Sequence, residues 1–191
     1  MGEAMPRRIL FLLVAVAVAI AIPMRASATY SLLDFQSAVN ALLAIDPTID
    51  PPPNDPTTDF AVGGFHGIED NNVGFSAHRD LLGLDTQGHL SETIPLFFGT
   101  PPRSYQGRFD VTCLAVVGNE AAMGLVPTDA ASNDQRAEFI LAVRDNKGLG
   151  LPDQYAFESD EGVFASDCAF YVSDAIFSIE SGNILVNQAL P

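Results

Sequence analysis

The sequence contains no tryptophan, only two cysteines among 191 residues, and few basic residues. Nine lysines and arginines stand against 24 aspartates and glutamates, so the formal net charge at pH 7 is −15. The basic residues form no patch along the chain. A surface of this sign repels nucleic acid and anionic lipid, so we expect no binding to DNA, RNA or a membrane surface.

The motifs of several enzyme classes are also missing. The sequence has no Gly-x-Ser-x-Gly, no P-loop, no dinucleotide-binding glycine motif and no Cys-x-x-Cys. A pair of carboxylates for glycoside hydrolysis stays open, because the many acidic residues allow many pairings. The sequence therefore leaves enzymatic activity open and favours a protein without catalysis.

One long apolar run is present, and it lies near the N-terminus. Two arginines precede 14 apolar residues (9–22), and an Ala-Ser-Ala sequence ends at Ala28. This order predicts a cleaved signal peptide over residues 1–28, and the run is shorter than the ~20 residues that a membrane helix needs. The processed chain would begin at Thr29, carry six basic and 23 acidic residues for a charge of −17, and be secreted or extracytoplasmic, with no membrane attachment.

The two cysteines are Cys113 and Cys168. In an exported protein, an even pair predicts a disulfide. The bond would close a loop of about 55 residues and stabilise the fold by ~4 kcal/mol on the chain-entropy model. The alternative is a pair of buried free thiols, since Cys113 lies in the middle of a predicted strand.

The first segment of the processed chain, residues 29–45, is predicted to be an amphipathic helix. Ser31 and Asp34 resemble a capping box at its start. The helix either docks on its own domain or presents its apolar stripe to a partner, and the first alternative is the commoner one. Five prolines follow within residues 46–59, which predicts an extended linker. The apolar stripe consists of Leu32, Phe35, Val39, Leu42 and Leu43.

Residues 60–191 are predicted to form a β domain. Its centre is a block from Arg108 to Val143, in which alternating side chains predict a strand and Gly118-Asn119 predicts a hairpin turn. Short strands separated by turn residues are typical of an all-β, antiparallel sandwich or barrel. The other predicted strands are 60–65, 73–78, 89–96, 154–157, 169–172, 176–179 and 184–186.

Four stretches carry a resemblance to a known family. They are NNVGFSAHRDLLGLDTQGHLSETIP, FDVTCLAVVGNEAAMGLVP, FILAVRDNKGLGLPDQYAF and SGNILVNQAL. In order and spacing they resemble a family of small bacterial secreted β-domain proteins of unknown function. The resemblance implies an exported all-β domain and no catalytic residue. Lys147 departs from it, because glycine is usual at that turn position, and the N-terminal helix and linker look like an addition.

Two histidines flank one predicted hairpin loop and form the first candidate site. Ten residues separate His78 from His89, and in a simple hairpin the two side chains would lie near one another across the strands. With Asp80 or His66 as a third ligand, they would form a site for zinc or iron. The alternative is that both histidines mark strand ends beside a polar loop.

A second candidate site is acidic. Residues 145–148 with Asp153, and separately Glu158, Asp160 and Glu161, offer the oxygen ligands that calcium prefers. The spacing differs from that of an EF-hand loop, and a lysine within the turn would oppose the ion. Ordinary hairpin turn chemistry also explains an Asp-Asn-x-Gly sequence.

Two functions remain as expectations. One is a non-catalytic extracellular binding or structural module with an unknown partner or ligand. The other is a small-ligand carrier or metal-dependent enzyme that uses a barrel cavity near His78 and His89. A polar cavity inside a closed barrel would favour the second, and a filled core would favour the first.

Overall fold

A computed structural model describes residues 30–79, 85–96, 103–128, 138–159 and 164–189. The predicted signal peptide, Asp80, Asp160 and Glu161 lie outside these ranges and stay predictions. No helix within the described ranges is long and apolar enough to cross a bilayer.

The helix, α1, spans Leu32–Ile45. Its N-terminus has the predicted capping box: the Ser31 side chain accepts a hydrogen bond from the Asp34 N–H, and the Asp34 carboxylate accepts one from the Ser31 N–H. The face that it buries is narrower than predicted, because Leu32 and Leu43 are exposed. The helix packs through the centre of the expected stripe, on Ala38, Val39 and Leu42.

The described β-strands form one antiparallel sheet in which all but the last strand follow chain order. The all-β class with a short helix is therefore confirmed. The single sheet curls into a half-barrel and is not split into the two layers of a sandwich. The strands are β1 (Asp59–His66), β2 (Asn72–Arg79), β3 (Thr86–Leu96), β4 (Arg103–Val117), β5 (Glu120–Pro127), β6 (Phe139–Arg144), β7 (Gln154–Glu158), β8 (Phe177–Ser178) and β9 (Ser181–Asn187), in the order β8-β7-β6-β5-β4-β3-β2-β1-β9.

The concave face of the sheet surrounds one apolar core. Buried side chains from β1 to β7 and from β9 belong to a single cluster, in which aromatic rings meet edge to face. Alternate residues of each strand point inward, as the period of two requires. The interior of the half-barrel is therefore filled by side chains, among them Phe65, Phe75, Leu90, Phe109, Met123, Leu125, Phe139, Leu141 and Ile184.

A β-bulge between Val111 and Cys113 changes which side of β4 faces the core. Before the bulge Phe109 and Val111 are buried in the core, and after it the next core residue is Leu114. The alternation in the sequence predicted an uninterrupted strand with Cys113 in the same row as Phe109. The extra residue places Cys113 on the opposite, convex face.

The convex face behind β4 to β6 is covered by a 3₁₀ helix, Ala165–Phe170. Cys168 in this helix forms a disulfide with Cys113, and their Cα atoms lie 6.1 Å apart, as the sequence predicted. The prediction of a strand at 169–172 was wrong. The disulfide and the burial of Cys168 under Ile140 hold this segment against the sheet face, where no strand edge is available for pairing.

The helix α1 covers the convex face at the other end of the sheet. It lies on β1, β2 and β9, and its apolar residues join Phe60, Val62 and Leu185 in a second cluster. Gly64 permits the close approach, because a Cβ atom there would collide with the backbone of Ala41. Of the two alternatives for the helix, docking on its own domain is the one observed.

Two aspartates cover the free edge of β9. Asp153 accepts hydrogen bonds from the N–H of Asn146 (2.8 Å) and of Ile184 (2.9 Å). Asp145 accepts from the N–H of Lys147 (3.0 Å) and of Val186. Because Ile184 and Val186 are alternate residues of one strand, the two carboxylates take the place of a neighbouring strand. We call this junction between the β6–β7 connection and β9 the seam.

Candidate functional site

A groove of about 310 Å³, lined by polar and apolar residues, lies on the convex face of the sheet, beside the C-terminus of α1. Its volume is at the small end of the range for ligand sites, roughly 300–1,000 Å³. Strands β3 and β4 form its floor together with Thr128, which follows β5, and the turn that follows α1 forms one wall. The lining residues are Asp46, Thr48, Ile49, His89, Leu90, Ser91, Arg108, Phe109, Asp110 and Thr128.

The strand register places the polar side chains of the floor in rows. His89 of β3 pairs with Asp110 of β4, and Ser91 pairs with Arg108 two residues further along. Residues two apart on a strand share a face, so all four lie on the convex side. Thr128 extends the second row, because its N–H and its hydroxyl both donate to the Arg108 carbonyl oxygen. The intervening Leu90 and Phe109 point into the core.

The wall of the groove is organised by Asp46, the residue that ends α1. Its N–H donates to the Leu42 carbonyl, and its carboxylate accepts from the N–H and the hydroxyl of Thr48 at 2.9 and 2.6 Å. Burial alone would raise the pKa of Asp46, but hydrogen bonds from Thr48 and Ser91, with the nearby Arg108 charge, lower it. The Asp46 side chain is therefore a buried, ionised group that fixes the wall against the floor.

Arg108 is only loosely held within the groove. Its Nη2 lies 3.5 Å from the Asp46 carboxylate and 3.4 Å from the Thr48 hydroxyl. Both distances exceed the roughly 2.7–2.9 Å of a strong charge-assisted hydrogen bond, and 59% of the side chain is exposed. Among the described residues no other side chain binds the guanidinium, so most of its donors are available to solvent or a ligand.

His89 and Asp110 form a hydrogen-bonded pair in the floor. The His89 Nδ1 lies 2.9 Å from an Asp110 carboxylate oxygen. This contact orients the imidazole and leaves Nε2 for solvent or a ligand. More than half of each side chain is exposed. The groove thus presents a cationic end at Arg108 and an anionic end at Asp110.

The structure places His78 and His89 on the same hairpin but two residues out of register. His78 pairs with Gln87 and His89 pairs with Ser76. The Nδ1 of His78 is buried without a hydrogen-bond partner among the described residues, and burial lowers the pKa of this histidine, against the opposing effect of Asp85. Because Asp80 lies outside the described ranges, the three-ligand set with Asp80 stays a prediction.

His66 lies at the far end of the hairpin pairing. It stands opposite Asn72 on β2, whereas His78 stands opposite Phe60 on β1. Six residues of strand separate the two positions, which is about 20 Å, so β1 does not bring His66 to His78. Within the described ranges no group of three His, Cys, Asp or Glu side chains converges as a metal site.

The acidic turn that was predicted as a calcium site forms part of the seam. Both oxygens of Asp153 accept backbone hydrogen bonds, and Lys147 reaches across to an ion pair with Asp34 of α1. Burial raises the pKa of Asp145 to about 6, and the neighbouring Asp153 charge adds to the rise, against the hydrogen bonds from Lys147 and Val186. Burial also raises the pKa of Asp153.

Sequence reasoning identified His89 but missed Asp46, Arg108 and Asp110 as members of one site. The alternation Arg-Phe-Asp at 108–110 signals two opposite charges on one face of a strand. The contact with Asp46 spans about 60 residues of chain, and no local pattern predicts it.

Comparison with protein-family models, with curated proteins and with solved structures finds no match for this chain. The groove and the seam are therefore interpreted from their own geometry.

Proposed function

We propose that the protein is an exported, non-catalytic binding module that holds a small polar ligand in the groove on β3 and β4. The observation that carries the proposal is the exposed and loosely held guanidinium of Arg108, set within a groove whose other charged groups are already oriented. A side chain that closed the groove for structural reasons alone would be paired at short distance, as Arg144 is with Glu120 and Gln154.

The packed interior supports the same proposal. A carrier of the lipocalin type needs an internal cavity, but the concave face of this sheet is occupied by aromatic and aliphatic side chains. The groove lies on the opposite face and borders His89. The arrangement therefore favours binding on the outside of the sheet over a carrier that uses the barrel interior.

Export is part of the proposal, and two features support it. One is the predicted signal peptide, and the other is the disulfide between Cys113 and Cys168, since such bonds persist in oxidising compartments.

A fragment screen followed by amide chemical shifts tests the binding function. The panel should contain small carboxylates, phosphates, amines and sugars. We expect at least one class to shift the amides of Ser91, Arg108 and Asp110 together. Arg108→Gln should weaken that binding at least tenfold, which is a loss of ~1.4 kcal/mol or more.

Arg79→Gln is the matched control. Arg79 is paired with Asp59 where β1 begins and β2 ends, and it does not line the groove. Its replacement should therefore leave the binding unchanged. If no fragment shifts the groove amides, or if both arginine variants weaken binding equally, the groove is not the binding site.

A further inference from the structure

We infer that the ligand of the groove is a small zwitterion of the α-amino acid type, whose carboxylate binds Arg108 and whose ammonium group binds Asp110. The inference rests on the proposed function, and it adds the chemical class of the ligand. It follows from the order of the charges along β4 and from the groups that surround each charge.

The cationic end of the groove is suited to a carboxylate. Arg108 offers a planar pair of donors, which fits the two oxygens of a carboxylate. Among other anions of that size, phosphate fits such a pair as well. Around it stand the hydroxyl groups of Thr48, Ser91 and Thr128. The nearest acid, Asp46, already accepts hydrogen bonds from Thr48 and Ser91, so it competes only weakly for the guanidinium.

The anionic end is suited to an ammonium group. One oxygen of Asp110 is engaged by His89 Nδ1, and the exposed carboxylate retains acceptor capacity for a second donor. A doubly charged anion such as phosphate would meet repulsion from Asp110 within the same groove. A ligand that carries both charges avoids this repulsion and gains a partner at each end.

The two ends of the groove lie on one face of one strand. Arg108 and Asp110 are alternate residues of a strand, so their Cα atoms lie about 7 Å apart. A small ligand with one charge at each end can therefore contact both side chains. The groove volume of about 310 Å³ leaves room for a short side chain beside Ile49.

Three matched probes test the ligand class: L-alanine, propionate, which lacks the ammonium group, and ethylamine, which lacks the carboxylate. Affinities are measured by titration of the amide chemical shifts at pH 7. We expect L-alanine to bind at least tenfold more tightly than either analogue. Asp110→Asn should reduce the affinity for L-alanine to the level of that for propionate. Arg108→Gln should make L-alanine bind no more tightly than ethylamine.

The outcomes separate this inference from the proposed function. If propionate binds as tightly as L-alanine, or if L-alanine does not bind while other fragments still shift the groove amides, the zwitterion assignment is wrong and the binding function stands. If no fragment shifts those amides, the binding function itself fails. Both replaced side chains are more than half exposed, and a Tm unchanged from that of wild type verifies that the variants are folded.

Discussion

Ionisation of Asp145 at the seam should make the contribution of this residue to stability smaller at neutral pH than at mildly acidic pH. The carboxylate is held between the Lys147 and Val186 N–H groups and lies near the carboxylate of Asp153. Burial and this neighbouring charge raise its pKa to about 6. Replacing Asp145 by asparagine removes the titrating group and retains one oxygen acceptor for the backbone.

The size of the effect follows from the pKa. A value of about 6 in place of the ordinary 3.8 corresponds to ~3 kcal/mol at 1.36 kcal/mol for each pKa unit. The Asp145 side chain keeps some contact with solvent, which screens the interaction, so we expect ~1–2 kcal/mol in the free energy of unfolding.

The direction of the pH dependence is set by whether the folded or the unfolded state binds the proton of Asp145 more tightly. Because the folded pKa of Asp145 lies above the unfolded one, its contribution to stability is complete below about pH 4 and is lost as the pH rises through 6. His78 acts in the opposite direction: burial lowers its pKa from 6.5, so its contribution grows as the pH rises through this range. The informative quantity is therefore the difference between wild type and Asp145→Asn.

Urea unfolding at pH 4.5 and pH 7.5, followed by far-ultraviolet circular dichroism, measures that difference. We expect the free energy of unfolding of Asp145→Asn, relative to that of wild type, to be ~1–2 kcal/mol higher at pH 7.5 than at pH 4.5. Asp55→Asn is the control, because Asp55 is exposed and its pKa is lowered by Thr57, so it does not titrate in this window. A variant whose stability difference is the same at both pH values would refute the reasoning.

Three further changes test the packing of the fold. Cys113→Ala with Cys168→Ala should lower the free energy of unfolding by ~4 kcal/mol, and a loss below ~1 kcal/mol in urea unfolding would contradict the chain-entropy estimate. Gly64→Ala should cost ~1–3 kcal/mol, because its Cβ would meet the Ala41 backbone; unchanged α1 amide shifts would argue against this contact. Ser31→Ala removes the capping box and should cost ~1 kcal/mol by thermal unfolding, and an unaltered Tm would count against the cap.

The class of fold and most of its strands were predictable because each rests on a local signal. Short apolar stretches between turn residues located β1 and β2, period-two alternation located β4, and the Gly118-Asn119 turn predicted its hairpin with β5. The bulge after Val111 was not predictable, because Thr112 and its neighbours are residue types that are common in regular strands. The bulge places Cys113 on the convex face, where Cys168 lies in the folded protein.

The candidate site was predictable only in part, for the same physical reason. His89 was visible as a polar residue at a strand end. Its partner Asp110 comes from the next strand, and the register between β3 and β4 decides that they meet. The sequence between the two strands contains no two-residue hairpin signal that would fix this register in advance.

The proline-rich segment illustrates how one stretch of chain serves two purposes. Prolines prevent the segment from continuing α1 or joining the sheet, as expected for an extended connector. Yet Asp46 and Ile49 within it are buried, and the Asn187 side chain donates to carbonyl oxygens at Pro56 and Thr58. The start of the segment therefore forms the wall of the groove, and its end is fixed to β9. Because α1 positions that wall through its C-terminal residue, the shape of the groove depends on the docking of the helix as well as on the strands beneath it.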